Sequence, residues 1–253
     1  MAEKWIINSR FKKDEDQLKS FIQNFNSSGK QLGKGERNVI KLFELHDTTI
    51  NIKGFKVPNI VNRVVYKFFR KSKAQRSFEY ANRLKQLEIG TPQPIAYVEY
   101  SLQLVFGKSY YISEHLDCDL TYRELTRDLN YQNHEEILRA FTRFTFNLHE
   151  KEINFLDHSP GNTLIKKTET GYDFYLVDLN RMEFGPMDFH TRINNFKRLT
   201  IHESMVSVMS DEYAKCSGES YEKIFSLMWH LTQEFQEKFH KKKRLKKRLK
   251  FWK

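Results

Sequence analysis

The sequence lacks long hydrophobic runs and has few cysteines, and these absences exclude two kinds of protein. No stretch among its 253 residues reaches the roughly 18 consecutive apolar residues of a transmembrane helix. The N-terminal segment MAEKWIINSRFKKDED is polar and has no apolar core of a secretory signal peptide. Cys118 and Cys216 lie far apart, without a CxxC motif or a Cys/His cluster. We therefore expect a cytoplasmic protein with reduced thiols and neither a disulfide framework nor a zinc site.

Acidic residues are absent from the last thirteen positions, KKKRLKKRLKFWK, which hold nine of the 43 Lys and Arg residues. The remainder has 34 basic and 32 acidic residues, so nine of the eleven net positive charges belong to the tail. A near-neutral body weighs against a nucleic-acid surface across the whole protein. In a helix, Leu245 and Leu249 fall one turn apart, with Phe251 and Trp252 at the end. Basic residues with apolar anchors favour binding of residues 241–253 to an anionic membrane, and a solvated or nucleic-acid-binding end is the alternative.

Hydrophobic periodicity predicts strands in the first half of the chain and mainly helices in the second. The pattern predicts a helix over 15–25, a glycine-containing loop, a hairpin over 38–45 and 48–55, helices over 59–70 and up to Gly90, and strands over 95–100 and 109–116. This is an α+β, two-lobed layout with a hinge at 113–117. We expect an N-terminal lobe over 1–116, a helical lobe over 117–240 and the basic tail over 241–253.

The strongest chemical motif runs from Asp157 to Asn162 in DHSPGN and continues to Asp178 in LVDLN. Transfer of a phosphoryl group requires a carboxylate that orients the attacking hydroxyl and oxygen ligands that hold Mg²⁺ against the phosphates. Asp157 and Asn162 lie five residues apart on a loop folded by Pro160 and Gly161. Asp157 is the candidate base, and Asn162 and Asp178 are the candidate metal ligands.

The segment FLDHSPGNTLI, with FYLVDLNRMEF after it, resembles the catalytic loop and metal-binding segment of protein-kinase-like enzymes, in particular the lipopolysaccharide kinase family that phosphorylates Kdo or heptose. The resemblance also covers GERNVIKLFEL with INIKGFK, and SKAQRSFEYANRLKQLEIGTPQP. It implies a protein-kinase-like fold, ATP and Mg²⁺ as cofactors, and a sugar of the lipopolysaccharide core as acceptor. It also implies work at the inner face of the cytoplasmic membrane.

Two further site residues follow from the resemblance. Lys53 matches the lysine that binds the ATP phosphates, and Glu79 matches the glutamate that pairs with it. Lys67 and Lys56 are alternatives for the lysine, although the apolar spacing around Lys67 is helical. An ammonium group on a strand facing a cleft requires phosphate or a carboxylate as a partner.

The chain departs from the wider kinase pattern in several places. Phe155-Leu156-Asp157 replaces His-Arg-Asp, and Asp178-Leu179-Asn180 replaces Asp-Phe-Gly. No G-x-G-x-x-G precedes the first strand of the hairpin. These differences suit a glycolipid or small-molecule kinase better than a regulated protein kinase. The alternatives within enzymes are an atypical protein kinase and a small-molecule phosphotransferase. The non-enzyme alternative is a pseudokinase-type membrane or nucleic-acid adaptor. His149 and His158 flank the loop and are interpreted as structural residues.

Overall fold

A computed structural model describes residues 2–33, 38–57, 70–102 and 105–250. The chain divides into two compact units, residues 1–117 with 178–180 and residues 118–177 with 181–253. Apart from its last residue, the helix predicted over 59–70 lies outside the described residues, and so does Lys67. The same holds for residues 34–37 of the predicted loop and for residues 251–253 of the tail.

Six antiparallel strands form the sheet of the first unit in the order β1-β5-β6-β4-β3-β2. They are β1 Ala2–Ile7, β2 Lys30–Leu32, β3 Asn38–Leu45, β4 Thr48–Phe55, β5 Pro94–Leu102 and β6 Val105–Glu114. The predicted hairpin is confirmed residue for residue, since β3 pairs with β4 from Asn38 opposite Phe55 to Leu45 opposite Thr48. His46 closes the turn in the left-handed backbone conformation, with φ of 53°.

The predicted N-terminal helix is also confirmed, as α1 Glu15–Gln23. Its apolar stripe buries Leu18 completely against a core that includes Ile50 and Ile52 of β4. Residues two apart on a strand point to the same face of a sheet, so α1 covers the face that carries these two isoleucines. The first unit therefore has one well-packed layer of helix on sheet.

The opposite face of β4 carries Lys53 and Phe55, because they alternate with the isoleucines. Helix α2, Lys73–Gln86, packs here, and Phe78 joins a smaller buried cluster with Phe55 and Tyr97. A serine N-cap begins α2, as its side chain accepts a hydrogen bond from the backbone of Gln75 at 3.0 Å. The sheet thus places Lys53 on the same face as the helix that bears Glu79.

Strand β1 was missed by the sequence analysis, which described this segment only as polar. It pairs with β5 along one side, from Ala2 opposite Ser101 to Ile7 opposite Ala96. As an edge strand it buries little, with Trp5 and Ile7 only partly covered by the core. An edge strand with polar residues has a weak period-two pattern, so its sequence gives little indication of a strand.

The second unit combines short strands with helices around one hydrophobic core. Its strands are β7 Leu120–Thr121, β8 Ile153–Phe155, β9 Thr163–Thr168, β10 Gly171–Leu176 and β11 Met182–Phe184. Its helices are α3 Tyr122–Arg127, α4 His134–Glu150, α5 Phe189–Asn194, α6 Glu203–Ser217 and α7 Tyr221–Lys250. Strands pair in the orders β10-β9-β7 and β11-β8. The predicted dominance of helices in this half of the chain is confirmed.

In the sequence, Asn133 followed by Glu136 predicts a capping box at the start of a long helix ending near Glu150. The helix is confirmed, but the capping box is wrong. Asn133 adopts the left-handed conformation with φ of 60°, and its side chain makes no capping hydrogen bond. Its amide instead donates to the hydroxyl of Tyr172 at 3.3 Å. A capping box does form in α3, where Thr121 and Glu124 satisfy each other's backbone N–H groups.

Helix α7 extends from the core into the basic tail. Ile224 and Met228 are completely buried, whereas Phe239 and Leu245 are 52% and 58% exposed. The helix continues to Lys250. Across the described part of the chain, no helix has both the length and the apolar character needed to cross a membrane.

We expect Leu18→Ala to lower the free energy of unfolding by about 2–5 kcal/mol, because it leaves a cavity between α1 and the sheet. Urea denaturation of the purified protein measures this change. Gln17→Ala, one position earlier on the exposed side of α1, is the matched control and should change the value by less than about 0.5 kcal/mol. Equal effects of the two substitutions would contradict the assigned packing of α1.

Candidate active site

The loop over residues 157–162 connects β8 to β9 and carries two of the predicted site residues. It is held at both ends by backbone hydrogen bonds, from His158 N–H to Phe155 O and from Asn162 N–H to Ser159 O, each 3.0 Å. Val177 directly precedes Asp178, and its N–H donates to Asn162 O at 3.0 Å. The chain therefore fixes the backbone on both sides of Asp157 and Asn162.

A buried polar network supports this loop from below. His158, 1% exposed, shares a 3.0 Å hydrogen bond between its Nδ1 and Asn195 Oδ1. Asn195 donates from Nδ2 to Phe155 O at 2.9 Å and to Asn154 Oδ1 at 3.0 Å. Since Asn195 Oδ1 can only accept, His158 donates from Nδ1. Burial lowers the pKa of His158 to about 4, so the ring is neutral at pH 7. The histidine and asparagine act as a scaffold for the loop.

Asp157 points its carboxylate at two arginines that the sequence analysis did not identify. Arg198 Nη1 lies 2.9 Å from Asp157 Oδ1, and Arg181 Nη1 lies 3.8 Å from the same oxygen. The side chain of Asp157 is 23% exposed, so solvent still reaches it. Arg198 lies 41 residues away in sequence, and no local motif marks it.

Asn162 presents the acceptor end of its amide away from the loop. Its Nδ2 donates to Asp157 O at 2.8 Å. The backbone oxygen of Asp157 can only accept, so the Asn162 atom that faces it must be the amide nitrogen. Oδ1 of Asn162 therefore lies on the opposite side of the side-chain amide. That oxygen is suited to a hard cation.

In the first unit the structure brings together Lys53 and Asp178. Lys53 Nζ lies 2.7 Å from Asp178 Oδ1, and only 13% of the lysine side chain is exposed. Asn180 Nδ2 donates to the same oxygen at 2.5 Å. Asp178 adopts a left-handed backbone conformation, with φ of 59°. Non-glycine residues in this conformation cost on the order of 1–3 kcal/mol and are concentrated at functional sites.

Glu79 does not pair with Lys53 in this structure. Its carboxylate accepts from Lys71 Nζ at 2.8 Å and from Gln75 Nε2 at 2.9 Å. Gln75 lies one helical turn before Glu79, and the long side chain of Lys71 reaches it from just before α2. The alternative Lys56 is exposed at the end of β4, whereas Lys53 is largely buried and paired.

A hollow of about 690 Å³ opens in the first unit beside the predicted hinge. Its lining comes from β2, β3, the start of β4 and the segment after β6, and includes Leu32, Leu42, Thr49, His115 and Asp117. The pairing register places Leu42 opposite Asn51, and Asn51 alternates with Ile50 and Ile52 along β4. The apolar side chain of Leu42 therefore lies on the face of the sheet that carries Lys53.

Taken separately, the amide oxygen of Asn162 in the second unit and the carboxylate of Asp178 in the first unit are each chemically suited to Mg²⁺. One carboxylate and one amide oxygen are hard ligands, and magnesium usually takes only one or two protein carboxylates together with phosphate oxygens. Within the described ranges, no three His, Cys, Asp or Glu side chains gather to hold a metal ion. The Lys53 ammonium at 2.7 Å shows that the Asp178 carboxylate already faces a cation.

A family model for the lipopolysaccharide kinase (Kdo/WaaP) family matches residues 40–215. The chain belongs to this family. The matched range includes Lys53, Glu79, Asp157, Asn162 and Asp178. The resemblance seen in the sequence is therefore confirmed, and this member of the Kdo/WaaP family is a kinase.

Solved structures confirm the kinase fold of this Kdo/WaaP family member. A structure described as WaaP in complex with acyl carrier protein is similar with a TM-score of 0.64 at 14% identity, covering 94% of this chain and 98% of that chain. Because 1080 chains of solved structures match, the fold alone does not identify the substrate. A comparison with curated proteins finds no match.

We expect the free energy of unfolding to fall as the pH decreases from about 6.5 to 4. Burial lowers the pKa of His158 to about 4 from an ordinary value of 6.5, so the unfolded chain binds the proton first. His149, whose pKa burial lowers to about 3, adds to the same slope. His158→Gln should reduce the slope by up to about 1.4 kcal/mol per pH unit.

Denaturation at a series of pH values measures this slope. The exposed His190 offers a matched control, and His190→Gln should leave the slope unchanged. An identical slope in wild type and His158→Gln would show that His158 is not buried in its neutral form.

Proposed function

We propose that this kinase transfers the γ-phosphoryl group of ATP to a hydroxyl of a Kdo or heptose sugar in the lipopolysaccharide inner core. The observation that carries the proposal is the ion pair between Lys53 and Asp178, at 2.7 Å, in a chain whose family consists of lipopolysaccharide kinases. A lysine for the phosphates and a carboxylate for the metal are two of the parts that phosphoryl transfer requires. Asp157 supplies the third.

Asp157 orients the acceptor hydroxyl and accepts its proton. A carboxylate in this role must be within hydrogen-bonding reach of the hydroxyl, and its partial exposure allows a substrate to approach. Asn162 Oδ1 and the Asp178 carboxylate are the groups that would hold Mg²⁺, which would supply positive charge to neutralise the phosphate oxygens. Lys53 binds the phosphates with its ammonium group, which the neighbouring Asp178 keeps in place before the nucleotide arrives.

Glu79 is the proposed partner of Lys53 when nucleotide is bound. This requires Glu79 to leave Lys71, whose side chain is 59% exposed. Exposed ion pairs contribute only about 0–1 kcal/mol, so the exchange costs little. The hollow beside His115 and Asp117 is the proposed site of the adenine ring, because it lies next to the hinge on the face of Lys53.

We place the enzyme in the cytoplasm, peripherally bound to the inner face of the cytoplasmic membrane through residues 241–253. The first five of these residues, Lys241 to Leu245, are all exposed on α7. Basic residues near an anionic surface contribute about 1 kcal/mol each, and exposed apolar residues such as Leu245 can insert. Acyl carrier protein, the partner in the similar WaaP structure, is the second candidate for this surface.

We expect Asp157→Asn to lower the rate of phosphate transfer by about 10²–10⁴-fold, because the amide cannot accept the proton. Transfer from γ-labelled ATP to extracted lipopolysaccharide measures this rate. Nucleotide binding should remain, since Asp157 does not contact the phosphates in the proposal. Asp173→Asn, an exposed position on β10, is the control for removal of a carboxylate. If Asp157→Asn labels lipopolysaccharide as fast as wild type, Asp157 is not the base.

The same assay separates the alternative functions. Labelling of a protein with no labelling of lipopolysaccharide would favour an atypical protein kinase. Absence of magnesium-dependent nucleotide binding, measured by calorimetry with ATP and with or without Mg²⁺, would favour a non-catalytic adaptor. Asp178→Asn should lose the magnesium dependence that wild type shows.

We expect glutamine at Lys241, Lys242, Lys243 and Arg244 together to weaken binding to phosphatidylglycerol vesicles at least tenfold, because four charges are removed. Vesicle sedimentation measures the binding. The control replaces four exposed lysines of the first unit by glutamine, namely Lys4, Lys12, Lys13 and Lys85. An equal loss in both variants would indicate attraction by overall charge, and a selective loss of acyl carrier protein binding would favour the protein partner.

A further inference from the structure

Two guanidinium groups converge on the catalytic carboxylate. Arg198 and Arg181 lie 2.9 Å and 3.8 Å from Asp157 Oδ1. Both arginines are accessible, with 33% and 54% of their side chains exposed. Two positive charges face one negative charge, so this part of the second unit has an excess of positive charge beside the reacting group.

Arg198 is held in a fixed orientation. One side of its guanidinium lies over the ring of Phe235 on α7, with 5.3 Å from Cζ to the ring centre. A guanidinium carries five N–H donors in a planar fork, and the structure shows its Nη1 directed at Asp157. A fork held by stacking is suited to a second planar anion, since little side-chain entropy is lost on binding.

A third arginine lies against the same loop. A Cβ atom built on Gly161 would lie 2.2 Å from Arg123 Nη2. Because Gly161 has no side chain, the Arg123 guanidinium can lie beside the loop backbone between Asp157 and Asn162. Lys197, next to Arg198, has a lowered pKa because it is buried and because Arg198 repels its charge. These neighbours extend the positive field around the loop.

We propose that Arg198 and Arg181 form a subsite for an anionic group of the acceptor, a carboxylate or a phosphate carried near the hydroxyl that Asp157 orients. The proposal rests on the proposed phosphotransfer and adds to it the two residues that recognise an anionic group of the acceptor. An anionic acceptor and the phosphates of ATP repel each other, and cations beside the acceptor offset this repulsion. The fork of Arg198 recognises the two oxygens of a carboxylate or phosphate, which gives specificity as well as charge.

The test compares three acceptors: a lipid A carrying Kdo, its carboxyl methyl ester, and the same lipid with its phosphates removed. With wild type, we expect KM to rise about 10- to 100-fold for the acceptor that has lost the contacted anion. A rise in KM for the methyl ester identifies the carboxylate as the contacted anion, and a rise for the dephosphorylated lipid identifies a phosphate. Arg198→Gln should raise KM for the unmodified acceptor by a similar factor and no longer distinguish the three.

Arg143→Gln is the matched control, since Arg143 is 53% exposed and pairs with Glu212 elsewhere in the second unit. It should leave the ratio of KM values unchanged. A lower kcat in Arg198→Gln with the wild-type ratio of KM values would overturn the proposal, because Arg198 would then only position Asp157. If Arg198→Gln gives no turnover, the KM values of Arg181→Gln are measured with the same three acceptors instead. A ratio of KM values equal to that of wild type then overturns the proposal. Equal KM values for all three acceptors in wild type also overturn it, whereas a wild type that labels none of them refutes the phosphotransfer itself.

Discussion

Lys53 carries its ammonium group on the inner part of a six-stranded sheet, where little of the side chain reaches water. A largely buried cation requires an anion close by, and Asp178 meets this need with a 2.7 Å ion pair. Asp178 is in turn held in a left-handed backbone conformation and bonded by Asn180. The proposed nucleotide chemistry depends on this pair. It places the lysine proposed to bind the phosphates beside the carboxylate proposed to bind Mg²⁺, before any phosphate is present.

The 157–162 loop is stabilised by a different kind of interaction. Neutral, buried hydrogen bonds through His158 and Asn195 fix its backbone, while the charged groups at its surface remain accessible. Buried polar networks of this sort specify one conformation when their members are paired. The loop therefore combines a rigid base with accessible charged side chains, which suits the proposed transfer to an anionic acceptor.

Local patterns in the sequence predicted most elements of the first unit. The hairpin at 38–55 was found because two segments rich in β-branched and apolar residues flank His46-Asp47. The 157–162 loop was found because Asp, Pro-Gly and Asn have a recognisable spacing. Individual ion pairs were not predictable: Arg198 reaches Asp157 across 41 positions, and Glu79 pairs with Lys71, which lies 8 positions away. Asn133 was misjudged because a side-chain contact with Tyr172 decides its conformation. Charge pairing over long sequence separations has no periodicity, so only coordinates reveal it.

Helix α7 is one continuous rod that contains core residues of the second unit, Phe235 beneath Arg198, and the exposed basic residues 241–244. At about 1.5 Å per residue, Phe235 and Lys241 are separated by roughly 9 Å along the axis. Because the helix is continuous, it fixes the distance between Phe235, beneath Arg198, and the basic end of the helix. In the proposed membrane-bound state, this fixed length would hold Asp157 at a set height above the lipid head groups, and the height would select which sugar of a membrane-anchored acceptor it reaches.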